Sequence, residues 1–257
     1  MDTSIPTIQQ LKQQWKAGKT LYNFFLMQPS PWNAEQYAAL GYPSLTIDMQ
    51  HGLIEDGHLL GLLQAIRAGG SLPAIRLKWN RPELIMKALD YDVPILICPM
   101  VNSVAEVEAF VQASKYPPQG NRSYGPIRVG LRGGPNYFEQ ANEQIATFAM
   151  IETPGALNDL ASIAATPGLD GLYIGPFDLT ASLGFPERAN FQDENLLAII
   201  DRVLAVAEKE ELFTGIFTID PEDARSMADR GFDLVTFGTD GVLFQQVAKS
   251  WWSKLNA

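Results

Sequence analysis

Residues 171–178 read GLYIGPFD. A four-residue run, short and mostly apolar, fits a strand buried on both faces. Gly175-Pro176 closes it with a turn, and an acid, Asp178, stands just beyond. The same layout recurs along the chain. Asp48, Gln50 and His51 follow LTI, Arg76 follows PAI, and Glu152 follows FAMI. Strand candidates are Leu21–Met27, Ser44–Met49, Leu72–Leu77, Val93–Val101, Phe148–Glu152, Gly171–Ile174, Phe213–Thr218 and Phe232–Phe237. Helical segments separate them, for example Asp56–Ala68, Ser103–Lys115, Glu194–Glu210 and Gly241–Leu255. Ser103 ahead of Glu106 reads as a capping box, and Asp220 before Pro221 as a helix start.

Eight strand–helix repeats in 257 residues predict a single (β/α)8 barrel spanning 1–257. A doubly wound open sheet is the alternative, and no G-x-G-x-x-G follows the first strand to support it. In a barrel the strand C-termini share one mouth, so the polar residues that end these runs meet there.

Composition narrows the function classes. The net charge of −10 argues against a nucleic-acid or anionic-membrane surface. The single cysteine, Cys98, lies in an apolar run, which excludes an internal disulfide and a Cys-based metal site. No run is long enough for a membrane helix and the N-terminus has no apolar signal core, so a cytoplasmic location is expected. P-loop, G-x-S-x-G and H-E-x-x-H motifs are all missing.

Glu152 and Asp178 end consecutive strands and so stand side by side. Two carboxylates without a His or Cys partner suit a hard ion such as Mg²⁺ or Mn²⁺. They also suit plain capping of loops or helices. His51, directly after the second strand, is a candidate general base, and Asp48, three residues earlier, is placed to orient or charge-stabilise it. A structural histidine is the competing reading; His58, inside a helix, is expected to be structural. Arg76, partly buried, needs an anion from either the protein or a substrate. Asp240 is read as a cap for the last helix. Lys78 lies beyond its strand end and is a poor Schiff-base candidate. The segment after Lys115 is Gly- and Pro-rich and carries Arg122, Arg128 and Arg132. It is expected at the C-terminal face as a lid, binding loop or subunit contact, with a plain solvated loop as the competing reading.

Taken in order, IDMQHG (47–52), AIRLKWN (74–80), KYPPQGNRSYG (115–125), MIETPGAL (150–157), GLDGLYIGPFDLTASLG (168–184) and VTFGTDGVLF (235–244) resemble the class II, metal-dependent pyruvate aldolases. That family is typified by 4-hydroxy-2-oxoheptanedioate aldolase and 2-dehydro-3-deoxyglucarate aldolase. The resemblance implies a barrel of the phosphoenolpyruvate/pyruvate-domain type. It also implies reversible cleavage of a 4-hydroxy-2-oxo acid to pyruvate and an aldehyde through a metal-bound enolate. Glu152 and Asp178 would hold Mg²⁺ or Mn²⁺, with Co²⁺ a further option. His51, with Asp48, would be the base, and Arg76 would contact the pyruvyl oxygen. Gly175 and Pro176 would approach the carboxylate. Gln50 and Arg122 complete the expected substrate contacts. Many members of the family have Glu in place of Gln50 and Gln in place of Met150. Oxaloacetate decarboxylation, an acyl-CoA lyase and a non-catalytic keto-acid-binding protein remain alternatives. The aldehyde pocket is expected to be built from the Arg122–Arg132 loop and a neighbouring subunit, and the cluster of arginines hints at an acidic aldehyde such as a semialdehyde. The resemblance also implies a hexamer built as a trimer of dimers that exchange C-terminal helices, with Trp251 and Trp252 of VAKSWWSKL (247–255) at a subunit contact; the competing reading packs both tryptophans on their own barrel.

Overall fold

The computed structural model describes residues 5–256. Eight parallel strands, β1 (Leu21–Leu26), β2 (Ser44–Asp48), β3 (Leu72–Arg76), β4 (Ile95–Cys98), β5 (Ala146–Ile151), β6 (Gly171–Ile174), β7 (Phe213–Thr218) and β8 (Leu234–Thr239), close in sequence order into a barrel. Helices between them form the outer layer. Strand side chains alternate between the helix side and the barrel interior. Leu45, Ile47, Ile75, Leu96, Leu172 and Ile174 join the outer core with the helices. Phe25, Ala74, Ile97, Phe148, Met150 and Tyr173 fill the interior. A short polar network crosses that interior: the Asn23 amide donates to Thr46 Oγ1 at 2.8 Å and Thr236 Oγ1 at 3.1 Å, and Tyr173 Oη meets Thr236 Oγ1 at 2.6 Å. No helix among the described residues is long and apolar enough to cross a membrane.

Two features differ from the sequence reading. The Ile8–Lys16 helix, unanticipated, brings buried Ile8, Leu11 and Trp15 to the N-terminal end of the interior cluster. Trp15 packs edge-on against Phe148 at 5.8 Å between ring centroids. Its spacing of Ile8, Leu11 and Trp15 along one face is the signal that predicts it. The insertion after Lys115 is also not at the C-terminal face. It leaves the Val104–Ser114 helix and enters β5, so it starts and ends at the barrel's N-terminal face. It contains two short helices, Arg128–Gly133 and Tyr137–Gln140.

Local expectations also changed. Ser103 does cap its helix, accepting from the Glu106 N–H, but the Glu106 carboxylate takes the Asn102 N–H rather than closing a reciprocal box. Asp220 caps as expected, accepting from the Glu222 N–H. The Asp240–Leu255 helix is capped by Thr239 instead of Asp240. Asp240 is buried and accepts the Met27 and Gln28 N–H groups, which fixes the loop after β1. Beyond its first turns the last helix leaves Phe244, Trp251, Trp252 and Leu255 in solvent, the two tryptophans 68% and 69% exposed. They do not pack on their own barrel.

Candidate active site at the barrel mouth

Strand parity and register assemble the site. Asp48 and Arg76 are direct partners across β2 and β3. Ile151 and Ile174 are partners across β5 and β6, which sets Glu152 beside Gly175, one residue further on. Period-2 alternation turns Asp48, Arg76 and Glu152 inward, in line with Thr46, Ala74 and Met150. They meet around a pocket of about 190 Å³ lined by residues from several strand ends, among them His51, Arg76, Glu152, Pro176, Asp178 and Phe217. That volume is below the ~300–1,000 Å³ typical of drug-sized ligands and suits a small acid.

Asp48 is fully buried and its carboxylate is committed to Arg76, Nε at 2.9 Å and a terminal guanidinium nitrogen at 2.6 Å. The sequence reading had paired it with His51. Asp48 reaches His51 only through the backbone, accepting the Gln50 and His51 N–H groups at 3.1 and 3.3 Å. It therefore shapes the loop that presents His51, and no hydrogen bond joins the carboxylate to the imidazole among the described residues. His51 itself is exposed at the rim. Burial works against the charge on Arg76, but the hydrogen bonds and charge of Asp48 more than offset it, so its pKa is raised. Two of its five N–H donors are used by Asp48. The guanidinium lies 5.3 Å above the Phe25 ring.

Glu152 is buried, and one oxygen accepts the Met100 N–H at 2.6 Å. Met100 holds a left-handed backbone, φ 56°, to aim that N–H, and its carbonyl accepts from the Asn102 amide at 2.7 Å. Strain of this kind in a non-glycine residue persists where the surroundings over-determine it, often beside functional groups. The other oxygen, Oε2, is buried without a partner. Burial, with Asp178 adding to it against the Met100 N–H and Arg76, pushes Glu152 up to about 7. Gly175 leaves the space for Oε2, because a Cβ there would fall 2.3 Å from it. Asp178 lies exposed in the first turn of a helix, Pro176–Ser182, where the sequence predicts only a turn, and it makes no ion pair among the described residues.

This donor set fits a hard divalent cation: a buried, unpartnered carboxylate oxygen faces a pocket that a second, free carboxylate also lines. Glu152 and Asp178 alone would supply two protein ligands, and the other positions of such an ion would be left to water and a chelating substrate.

The remaining candidates lie elsewhere or are already engaged. Arg122 does not line the pocket. It is 3% exposed, pairs with Asp90 at 2.8 Å, donates to Tyr137 Oη at 3.1 Å and stacks on Tyr116. Its partners hold the insertion to the barrel's N-terminal side. Lys78 bridges Glu55 and Asp56. His58 accepts the Glu55 N–H at the start of its helix, a structural role. The Gln50 side-chain oxygen is buried without a partner. Cys98 is a free, buried thiol whose pKa burial raises well above the ordinary range. Met27, Phe177 and Phe217, unremarked in the sequence, form the apolar side of the pocket.

A closed parallel barrel with two carboxylates and a buried guanidinium gathered at its C-terminal mouth has the layout of a barrel enzyme. The chain belongs to the HpcH/HpaI aldolase/citrate lyase family, whose model matches residues 21–246. It is 37% identical over 235 residues to a hydroxypyruvate/pyruvate aldolase of Rhizorhabdus wittichii, covering 91% of this chain and 94% of that one. A 2-keto-3-deoxy-L-rhamnonate aldolase of Salmonella gallinarum is 32% identical over 244 residues, covering 93% and 90%. The crystal structure of a family protein from Burkholderia cenocepacia superposes with a TM-score of 0.87 at 29% identity, covering 96% and 99%. The protein is an enzyme, a carbon–carbon lyase of the pyruvate-aldolase kind.

Proposed function

We propose that the protein reversibly cleaves a 4-hydroxy-2-oxo acid into pyruvate and an aldehyde, with a divalent cation held by Glu152 and Asp178. The observation that carries this reading is the buried, unpartnered Glu152 Oε2 facing a pocket shared with Arg76, His51 and Asp178. Mg²⁺ and Mn²⁺ suit the all-oxygen donor set. When bound, the ion supplies Lewis-acid stabilisation of the negative charge that develops on the 2-keto oxygen.

The chain's own groups do the rest. Arg76, held charged by Asp48, donates remaining N–H groups to the same oxygen and favours the enolate over the ketone. Gly175 and Pro176 give the pyruvate carboxylate a close backbone wall, and Gln50 offers a further polar contact. His51, at the rim, accepts the proton of the C4 hydroxyl directly or through a water. The C3–C4 bond then breaks, releasing the aldehyde, and C3 of the enolate takes up a proton to give pyruvate. Aldol addition is the reverse.

The test is pyruvate release from 4-hydroxy-2-oxopentanoate, followed by NADH oxidation with lactate dehydrogenase. His51→Ala is expected to lose about 10²-fold or more in kcat, the scale of a missing general base. Turnover like the wild type would remove His51 from the mechanism.

The assembly we propose is a hexamer, a trimer of dimers that exchange C-terminal helices. The exposed Phe244, Trp251 and Trp252 on a helix that leaves the barrel support it. The cytoplasm is the proposed compartment, in keeping with one reduced, buried cysteine.

A further inference from the structure

Glu152 is gripped from two loops at once. Its Oε1 accepts the Met100 N–H at 2.6 Å, from the segment after β4. Its own chain runs on into Thr153, whose hydroxyl donates to Asn102 Oδ1. The Asn102 amide nitrogen in turn donates to the Met100 carbonyl at 2.7 Å. One side chain therefore joins the residue that holds the Glu152 carboxylate to the residue that follows Glu152 in the chain. Its partners fix which way the amide faces. A carbonyl only accepts, so the NH2 end must meet Met100, and the amide oxygen is left for Thr153.

Asn102 is itself anchored. Its backbone N–H donates to Glu106 Oε2 at 2.6 Å, in the first turn of the Val104–Ser114 helix. Asn80 Nδ2 holds the Glu106 carbonyl at 2.8 Å. On the other side Thr153 Oγ1 accepts the Ala156 N–H at 3.1 Å and caps the Pro154–Asn158 helix. The amide thus spans two helix starts, one after β4 and one after β5. Met100 needs such a clamp. Its φ of 56° is left-handed, which a residue with a Cβ adopts only when its surroundings hold it there. A change of φ at Met100 would swing its N–H away from Glu152 relative to the carbonyl that Asn102 holds.

Given the reading of Glu152 as a metal ligand, on which it rests, we infer that Asn102 is the positioning residue for that carboxylate. Asn102 does not line the pocket. It acts through Met100, keeping the N–H on Oε1 so that the unpartnered Oε2 stays turned toward the ion. Partners of this kind set the orientation of a ligating carboxylate and so its affinity for the metal.

The experiment is a Mn²⁺ titration followed by electron paramagnetic resonance, with a metal-free melting curve for each variant. Asn102→Ala is expected to bind Mn²⁺ about tenfold more weakly than the wild type. Repeating that substitution in a Met100→Gly background separates positioning from general loosening. Glycine takes a positive φ without strain, so the clamp matters less there, and the loss is expected to shrink to about threefold or less. Thr153→Val removes the hydroxyl that orients the amide at nearly constant shape. It is expected to weaken Mn²⁺ binding in the same direction, and it carries the test if Asn102→Ala does not fold. Affinity within about twofold of the wild type in a folded clamp variant overturns the inference, below the loss expected of a displaced partner. An equal loss with and without Met100→Gly overturns it as well. Glu152→Gln distinguishes the two levels. If it loses Mn²⁺ while Asn102→Ala does not, only the positioning inference falls. If Glu152→Gln keeps full affinity, Glu152 is not a ligand, and the inference falls with that reading.

Discussion

Gly175→Ala is the perturbation that tests the Glu152 assignment most sharply. The backbone at Gly175 has φ −99°, which any residue adopts, so the substitution adds a methyl group and little else. That methyl would sit 2.3 Å from Glu152 Oε2, 2.8 Å from Met150 Cε and 3.1 Å from Glu152 Cβ. Normal contact lies near 3.5–4.0 Å, so Oε2 must retreat by about 1 Å. The carboxylate cannot simply slide, because its other oxygen is held by the Met100 N–H at 2.6 Å. The two closest atoms are the far ends of flexible side chains, so the fold should lose only about 1 kcal/mol, the low end for overpacking. Metal coordination tolerates about 0.2 Å, so the displacement should weaken Mn²⁺ binding by about tenfold or more. Free Mn²⁺ would be followed by electron paramagnetic resonance during titration, beside melting curves with and without the ion. The wild type should gain melting temperature on saturation, and the variant should gain less at equal Mn²⁺. Unchanged Mn²⁺ affinity in a folded variant would refute the reasoning that Oε2 is a ligand atom.

Two further outcomes follow from the buried charges. Asp48→Asn leaves the Arg76 guanidinium buried without its counter-charge and should cost about 3 kcal/mol in urea unfolding; a loss within about 0.5 kcal/mol, the range of ordinary surface substitutions, would show that the pair does not hold β2 to β3. Asp233, just before β8, is pushed up to about 6 by burial, against the Thr214 hydrogen bonds, from 3.8. The folded state therefore binds the proton more tightly than the unfolded chain, and stability should fall as pH rises from about 4 to about 6 and stay lowered above. Asp233→Asn should remove that loss, worth about 1 kcal/mol after discounting for solvent screening, and raise the melting temperature by about 2–4 °C at pH 8 relative to pH 4. An equal change at both pH values would remove Asp233 as its source.

The strands were legible because parallel strands buried on both faces leave short apolar runs, and because period-2 parity carries over unchanged from sequence to barrel. The same parity placed Asp48, Arg76 and Glu152 at the mouth. Asp48 shows where such reading stops: His51 is three residues away and Arg76 is 28, yet register across β2 and β3 makes Arg76 the nearer side chain. The insertion arginines failed for a related reason. Their partners Asp90 and Asp92 lie some 30 residues earlier and meet them only when the barrel closes. Connectivity could have corrected the face, since a segment between a helix and the next strand belongs at the N-terminal end. The Ile8–Lys16 helix was hidden by its glutamines, although its three apolar residues share one face. The strained Met100 that fixes Glu152 had no signal, because a positive φ in methionine is a property of the folded loop alone.

The most direct measurement is deuterium incorporation into the methyl group of pyruvate in D₂O, followed by proton NMR with Mn²⁺ or Mg²⁺ and again after EDTA. It reports enolate formation and needs no knowledge of the aldehyde. The account predicts exchange that requires the ion and is lost in Glu152→Gln. Exchange that persists in EDTA, or that survives Glu152→Gln undiminished, would contradict it.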